Sequence, residues 1–529
     1  MLEQRVYIAT PVHRPALLAC LLIYIALALA SVDGRLSGDE HYALWTGAAL
    51  RHGDVLNRDI FDPGTPLLSV LSWFGQAASG DRPIGEVVIG ITLKAIGLIA
   101  VYLLTNRLTR RRVLALASAF LVALLILPVD LYGTDKIFIY PVAMLAGVVC
   151  LARPSRAWML GAITATAFLF RHDHGLYVVV PLTLALVLAD DRRWRHALAA
   201  VIALGIIVVP WLIWVETTEG IVSYFASRAA FAQVLGLTAS RSSFGFAGIA
   251  SPAEAGLRGL WLLAWAIPLI AGALAVRMRD RAVLVVAVGA LLASAGLMRR
   301  FGQHADVAAM WVPLGAWIVI QPAARVWKGV LTTAFLLATL TAGALATGAP
   351  RRLPQILFEG GGLFQRTTNA LRRHATRPAI DEYAPPDVTD ERVVIRYLHE
   401  CLAPGDRVWD TSVWFPASYY ADRRPVWHPY WDLGFRNEEA SQRAFLSWIA
   451  HEQVPVIIVK YHDTDPLDAL RAYPLIRDYV SRRYERAESP AWERFQRDYR
   501  IHILVDRQRR PAGIFPMTGL PCFVDRNTS

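Results

Sequence analysis

Charge is what this chain of 529 residues lacks most: Asp, Glu, Lys and Arg together make up 18% of it, against about a quarter in a soluble globular protein. The charges that exist cluster between long apolar runs, 55% of the chain is hydrophobic, and the mean hydropathy is +0.37. That pattern excludes one large soluble core and points to a membrane domain. Lysine is scarcer still and occurs only at positions 94, 136, 328 and 460. The basic residues are otherwise arginine, which we read as GC-rich coding rather than chemistry. The four cysteines have no zinc-type spacing. Cys20 and Cys150 lie in apolar runs as inert fillers; Cys401 and Cys522 lie in the polar C-terminal part and either pair or remain free thiols. There is no phosphate-binding glycine loop, no dinucleotide fingerprint and no internal repeat. A soluble nucleotide-sugar donor is disfavoured accordingly.

What is present is a series of apolar runs long enough to cross a bilayer. About 20 residues are needed for one spanning helix. Runs near 15–32, 84–106, 113–129, 137–152, 157–170, 175–189, 197–215, 258–276, 282–298, 305–320 and 326–347 give about 11 spans. The first ends in Ala28-Leu29-Ala30-Ser31, which resembles a signal-peptide cleavage site, but the many later spans favour an uncleaved first helix. The net charge of +11 would suggest nucleic acid in a soluble protein. Here the arginines sit in short loops on alternate sides: Arg107–Arg112, Arg153–Arg156, Asp190–His196, Arg277–Arg281 and Gln321–Lys328. Five basic loops on one side mark it as cytoplasmic, so nucleic acid is not expected as a partner and the lipid bilayer is. The N-terminus then faces the cytoplasm, and the region after about 348 faces outward.

Residues 157–189 are interrupted by Arg171-His172-Asp173-His174. A single helix of that length would measure about 50 Å, far more than the roughly 30 Å hydrocarbon core. Two short helices joined by a recessed turn fit better. The outer side then holds 33–83, 130–136, 171–174, 216–257, 299–306 and 348–529. Pro66–Ala78 reads as an amphipathic interfacial helix. We divide the chain into a transmembrane domain (1–347), a Pro/Gly/Arg-rich linker (348–386) and an extracytoplasmic α/β domain (387–529). In the last, helix-like 389–401 and 438–451 alternate with strand-like 406–411 and 454–460.

The outer loops carry the candidate chemistry. Gly38-Asp39-Glu40-His41-Tyr42 is followed by Gly53-Asp54, Arg58-Asp59 and Pro66-Leu67; a solvated connection explains any one of these acids as well. As a pattern they resemble the first outer loop of the GT-C glycosyltransferases, especially the bacterial lipopolysaccharide-sugar and aminoarabinose transferases, with protein O-mannosyltransferases more distant. Asp39-Glu40, Tyr42, Gly53, Asp59 and Pro66-Leu67 stand in the family's places. Asp135, in Gly133-Thr134-Asp135-Lys136, matches the family's second acid, with Asp130 as fallback; capping of the following helix is the alternative. The first 200 residues carry the likeness well, and 290–320 weakly.

The resemblance implies an α-helical polytopic membrane domain of GT-C type with a C-terminal α/β domain, sited in the bacterial cytoplasmic (inner) membrane. It implies transfer of a hexosyl or pentosyl group from a polyprenyl-phosphate sugar to an envelope glycan, lipid or protein. Asp39, with Glu40 and Asp135, is nominated for catalysis. A sugar hydroxyl is a poor nucleophile, so a carboxylate must take its proton, and Asp39 is that base. The family favours inversion. Tyr42 and Asp59 are nominated for substrate binding. Arg171 suits the leaving phosphate through its planar fork, as do Arg299 and Arg300, which run against the positive-inside trend. His172, His174 and His304 are further polar contacts. Asp135, His172 and His174 also offer ligands to a divalent cation, Mg or Mn; a tight charged turn and lipid head-group binding are the plainer readings of the two basic clusters. A flippase for lipid-linked sugars would spread polar residues through the bilayer midplane. An envelope assembly protein without enzymatic activity leaves Asp39-Glu40 unexplained.

Overall fold

In the computed structural model of the chain, the described residues are 14–31, 38–127, 134–189, 193–239, 251–296, 307–321, 328–347, 349–359, 361–375, 389–411, 417–426, 437–460, 465–493 and 501–524. A helix stands at each of the eleven apolar runs: α1 (Arg14–Ser31), α4 (Ile84–Thr109), α5 (Arg112–Ile126), α6 (Thr134–Ala152), α7 (Trp158–Phe170), α8 (His172–Ala189), α9 (Arg193–Thr218), α11 (Pro252–Met278), α12 (Arg281–Gly296), α13 (Ala308–Val319) and α14 (Lys328–Thr347). Five of these, α1, α4, α8, α9 and α11, are long and apolar enough to cross a membrane. Most of α5 and α6, with α12 and α13, are apolar but shorter. The chain between α7 and α8 breaks at Arg171, whose backbone is extended (φ −166°, ψ 125°), so 157–189 is two helices and not one.

Five further helices occupy stretches expected to be irregular or only interfacial. They are α2 (Gly38–Arg51), α3 (Pro66–Ser79), α10 (Ile221–Ala239) and the pair α15 (Ala349–Phe358) and α16 (Gly362–Ala375). The Asp39-Glu40 stretch is therefore the first turn of a helix, not an extended loop. Burial explains it: Ala43, Leu44, Trp45 and Ala49 form an apolar face beneath the acidic turn. That face packs on α3, where Ser72 Oγ and Gln76 Nε2 donate to the Ala43 and Leu44 carbonyls at 2.8 Å. The interfacial reading of Pro66–Ala78 matches a helix that leaves Val70, Trp73 and Phe74 exposed. In the expected linker, α16 lies against α1 and Thr367 Oγ1 reaches the Ala26 carbonyl at 3.3 Å.

The C-terminal part begins with α17 (Thr389–Cys401) and continues through β1 (Arg407–Asp410), α18 (Ala417–Tyr420), β2 (Arg424–Pro425), α19 (Glu439–Ile449), β3 (Val456–Lys460), α20 (Pro474–Arg483), β4 (Tyr484–Arg486) and β5 (Ile501–Asp506). The sheet order is β2-β1-β3-β5-β4, with β1 parallel to β2 and β3, and β5 antiparallel to β3 and β4. Val408, Val456, Ile458, Ile503 and Val505 pack with α17 on one face. Trp409, Ile457, Val459 and Leu504 pack with α19 and α20 on the other. Burial on both faces is why Val454–Lys460 reads as a nearly unbroken apolar run. Cys401 and Cys522 are joined by a disulfide across 121 positions, tying the end of α17 to the C-terminal segment. Cys20 and Cys150 are free and buried.

Candidate functional site

Two of the four lysines locate a polar interior. Gly97 of α4 lies against the backbone of Ile137 and Phe138 in α6, so closely that a Cβ there would overlap the Ile137 carbonyl. Ile137 is near the start of α6, whereas Gly97 is about 20 Å along α4 at 1.5 Å per residue. The first turn of α6, with Thr134, Asp135 and Lys136, is therefore level with the middle of α4. Lys94 stands one turn from Gly97, and Lys94 and Lys136 are both 3% exposed. Buried ammonium groups among apolar helices are costly and mark functional sites by default. The sequence reading passed over both.

A second assembly holds the segment after α2. Asp62 is fully buried. Its Oδ1 accepts from the Gly64 and Thr65 amides at 3.0 and 2.7 Å, and its Oδ2 accepts from the Tyr224 hydroxyl at 2.7 Å. Burial and the Asp62 charge hold the Tyr224 phenol well above its ordinary range, so it remains a donor. His172 Nε2 bonds the same hydroxyl at 2.8 Å, and its Nδ1 bonds the Phe168 carbonyl at 2.8 Å. A carbonyl only accepts, and the tyrosine proton is already directed at Asp62. His172 Nδ1 therefore donates to the Phe168 carbonyl, and the Tyr224 hydroxyl bridges His172 Nε2 and the Asp62 carboxylate. Gly64 sits at φ +97°, and a Cβ there would meet His172 Cδ2 at 3.1 Å. Glycine is required on both counts.

Arg228 closes this assembly. Its Nε donates to the Asp62 carbonyl at 2.6 Å, one terminal nitrogen to Asn57 Oδ1 at 3.0 Å, and the other to Glu219 at 2.6 Å. Its guanidinium lies over the Tyr224 ring, 3.7 Å from the centroid. The α10 helix and the turn before it thus fix 57–65 from a distance of more than 150 positions.

The nominated residues separate under this geometry. His172 belongs to the Asp62 assembly, whereas His174 points into α6 and bonds the Tyr140 hydroxyl at 2.9 Å. The two histidines do not converge, and both ring nitrogens of His172 are engaged by Phe168 and Tyr224. Among the described residues no group of three His, Cys, Asp or Glu could hold a metal ion. His172 and His174 thus face different neighbours and do not act as joint ligands in this geometry. Arg171 makes a two-pronged ion pair with Asp173 at 2.8 and 2.7 Å, so an arriving phosphate would have to share it. Asp59 pairs with Arg58 at 2.7 Å and accepts from the Val55 amide at 2.9 Å. Burial pushes its carboxyl up, but these bonds and the Arg58 and Arg407 charges outweigh it and hold the group below the usual carboxylate range. Its first duty is to close its own turn. The backbones of Asp39, Glu40, Tyr42 and Asp135 lie in first turns of α2 and α6; their side chains fall outside the described set. Asp130, Arg299, Arg300 and His304 lie outside the described residues altogether.

No protein-family model matches the chain, and no curated protein matches it. Solved structures do. ArnT from Cupriavidus metallidurans in the apo state aligns with a TM-score of 0.52 at 13% identity, covering 92% of this chain and 96% of that one. The same protein bound to undecaprenyl phosphate aligns with a TM-score of 0.50 at 14% identity, covering 92% and 97%. The Archaeoglobus fulgidus oligosaccharyltransferase, in complex with Zn and sulfate, aligns with a TM-score of 0.49 at 13% identity over 90% of this chain and 72% of that one. The ArnT likeness runs through the helical bundle and the α/β part alike. The chain shares the fold of ArnT.

Proposed function

We propose that this protein is a membrane glycosyltransferase that moves a sugar from a polyprenyl-phosphate donor to an envelope glycan, lipid or protein. The observation that carries the reading is the near-complete overlap with ArnT, a protein captured with undecaprenyl phosphate. Lys94 and Lys136, buried beside the first turn of α6, fit the same reading: a lipid phosphate leaves as an anion and needs positive charge rather than a general acid. Asp39 is the base that takes the acceptor hydroxyl's proton, with Glu40 and Asp135 beside it; Tyr42, Asp59, Arg171, Arg299, Arg300 and His304 are contacts to substrate. Attack by one activated hydroxyl inverts the anomeric carbon. We assign the reaction to the outer face of the bacterial inner membrane, with the N-terminus cytoplasmic. A disulfide between Cys401 and Cys522 supports an oxidising side for the α/β domain. Membranes carrying Asp39→Asn are expected to retain the folded protein and to lose sugar transfer from a polyprenyl-phosphate donor. Undiminished transfer by that variant would remove Asp39 from the chemistry.

A further inference from the structure

Among the described residues, the charged contacts between the α/β domain and the helical bundle gather at one place. Asp54, just past the end of α2, has a side chain 1% exposed. Arg407 of β1, itself 2% exposed, reaches both its oxygens, at 2.7 and 3.3 Å, and Arg424 of β2 pairs with the same carboxylate. Arg407 is held in turn by Glu452 at 2.7 Å and the Pro425 carbonyl at 3.0 Å, and it lies 5.2 Å from the centre of the Trp448 ring. Around this buried array, Trp45 Nε1 of α2 donates to Ser418 Oγ of α18. Tyr419 reaches the Asp81 carbonyl at 3.4 Å, and His52 stands 3.8 Å from Asp422. Arg51, at the end of α2, pairs with Asp81 at 2.9 Å.

On the bundle side, these contacts fall on α2, on the segment following it, or on the Asp81 turn that pairs with α2. A buried ion array is a poor source of net stability, since an apolar replacement often does as well. What it supplies is one allowed geometry, because each guanidinium fork meets its carboxylate at fixed distance and angle. The other end of α2 carries Asp39-Glu40, and the segment after Asp54 runs directly into the Asp62 assembly. We infer that the α/β domain is a clamp for α2 and residues 52–65, with Asp54 and Arg407 as positioning residues that act through the helix and touch no substrate. The α/β domain thereby fixes the helix that bears the nominated base.

The test uses the full chain in lipid nanodiscs. Hydrogen exchange is followed in wild type, Arg407→Ala, Arg407→Lys and Asp54→Asn. In Arg407→Ala and Asp54→Asn, amides of α2 and 52–65 are expected to exchange about tenfold faster or more, with α11, α12 and β5 unchanged. The kinetic consequence rests on the transferase reading. There, turnover in the same variants falls by about 100-fold, as expected when a reacting group is misplaced by about 1 Å. Binding of polyprenyl phosphate stays within about twofold, and Arg407→Lys recovers part of the turnover. Unchanged exchange in α2 and 52–65 overturns the clamp, as does a loss of lipid binding equal to the loss of turnover. If Arg407→Ala does not fold, the isosteric Asp54→Asn decides alone. Absence of transfer in wild type refutes the transferase reading and leaves the exchange result to judge the clamp.

Discussion

Tyr224→Phe removes one oxygen from the centre of the Asp62 assembly and little else. The aromatic packing is kept, because the ring contacts with Trp211 (5.4 Å), Phe225 (5.2 Å) and the Arg228 guanidinium (3.7 Å) do not involve the hydroxyl. What is lost is the 2.7 Å bond to the Asp62 carboxylate and the 2.8 Å bond with His172. A hydrogen bond to a charged group contributes about 1.5–3 kcal/mol, and a buried partner left unpaired adds to the loss. The expected destabilisation is therefore about 2–4 kcal/mol, read as the shift in reversible unfolding of the detergent-solubilised protein by sodium dodecyl sulfate. The same reasoning makes Tyr224 and Asp62 one unit. In a cycle of Tyr224→Phe, Asp62→Asn and the double variant, the two should couple by about 0.5–3 kcal/mol. A single variant within about 0.5 kcal/mol of wild type, or a cycle additive within that margin, would refute a hydroxyl shared between His172 and the Asp62 carboxylate.

Three expectations remain. Asp59→Asn should flatten the acid limb of the stability profile. The Asp59 carboxyl is held below its ordinary range in the folded protein, so its contribution is complete above the ordinary carboxylate pKa and is lost as pH falls through the lower folded value. Thermal unfolding of wild type and variant from about pH 6 downward checks this, and parallel profiles would speak against it. Gly64→Ala should cost about 1–3 kcal/mol from the left-handed backbone alone, and more because its Cβ meets His172. Gly53→Ala, at φ +90° with nothing within 4 Å of its Cβ, should cost only the backbone part, and equal losses at the two positions would show that the His172 contact does not matter. Asp39→Asn should abolish sugar transfer without loss of folded protein, measured with a radiolabelled polyprenyl-phosphate sugar.

The sequence by itself determined what depends on neighbours along the chain. Each apolar run became a helix, because some 15–25 contiguous apolar residues in a bilayer leave the backbone no better way to pair its own hydrogen bonds. The break at Arg171 was legible from the length limit on one span, and the helix–strand alternation after 387 from periodicity. The apolar face of α2 went unread because the Asp39-Glu40 pair drew attention to charge. Only the tertiary structure decided which polar residues meet. Asp62 and Tyr224 are 162 positions apart, and Asp54 and Arg407 are 353 apart. Nothing local marks such pairs, because an ion pair or a shared hydroxyl depends on distance in space and not on spacing in sequence. For the same reason two lysines in otherwise apolar helices passed as incidental until α4 and α6 were seen to bring them level, and two histidines two positions apart looked like joint ligands until the start of α8 turned them to different neighbours. The chain's shortage of charge said that it lives in a membrane; where its few charges are buried together was for the packing of the helices to decide.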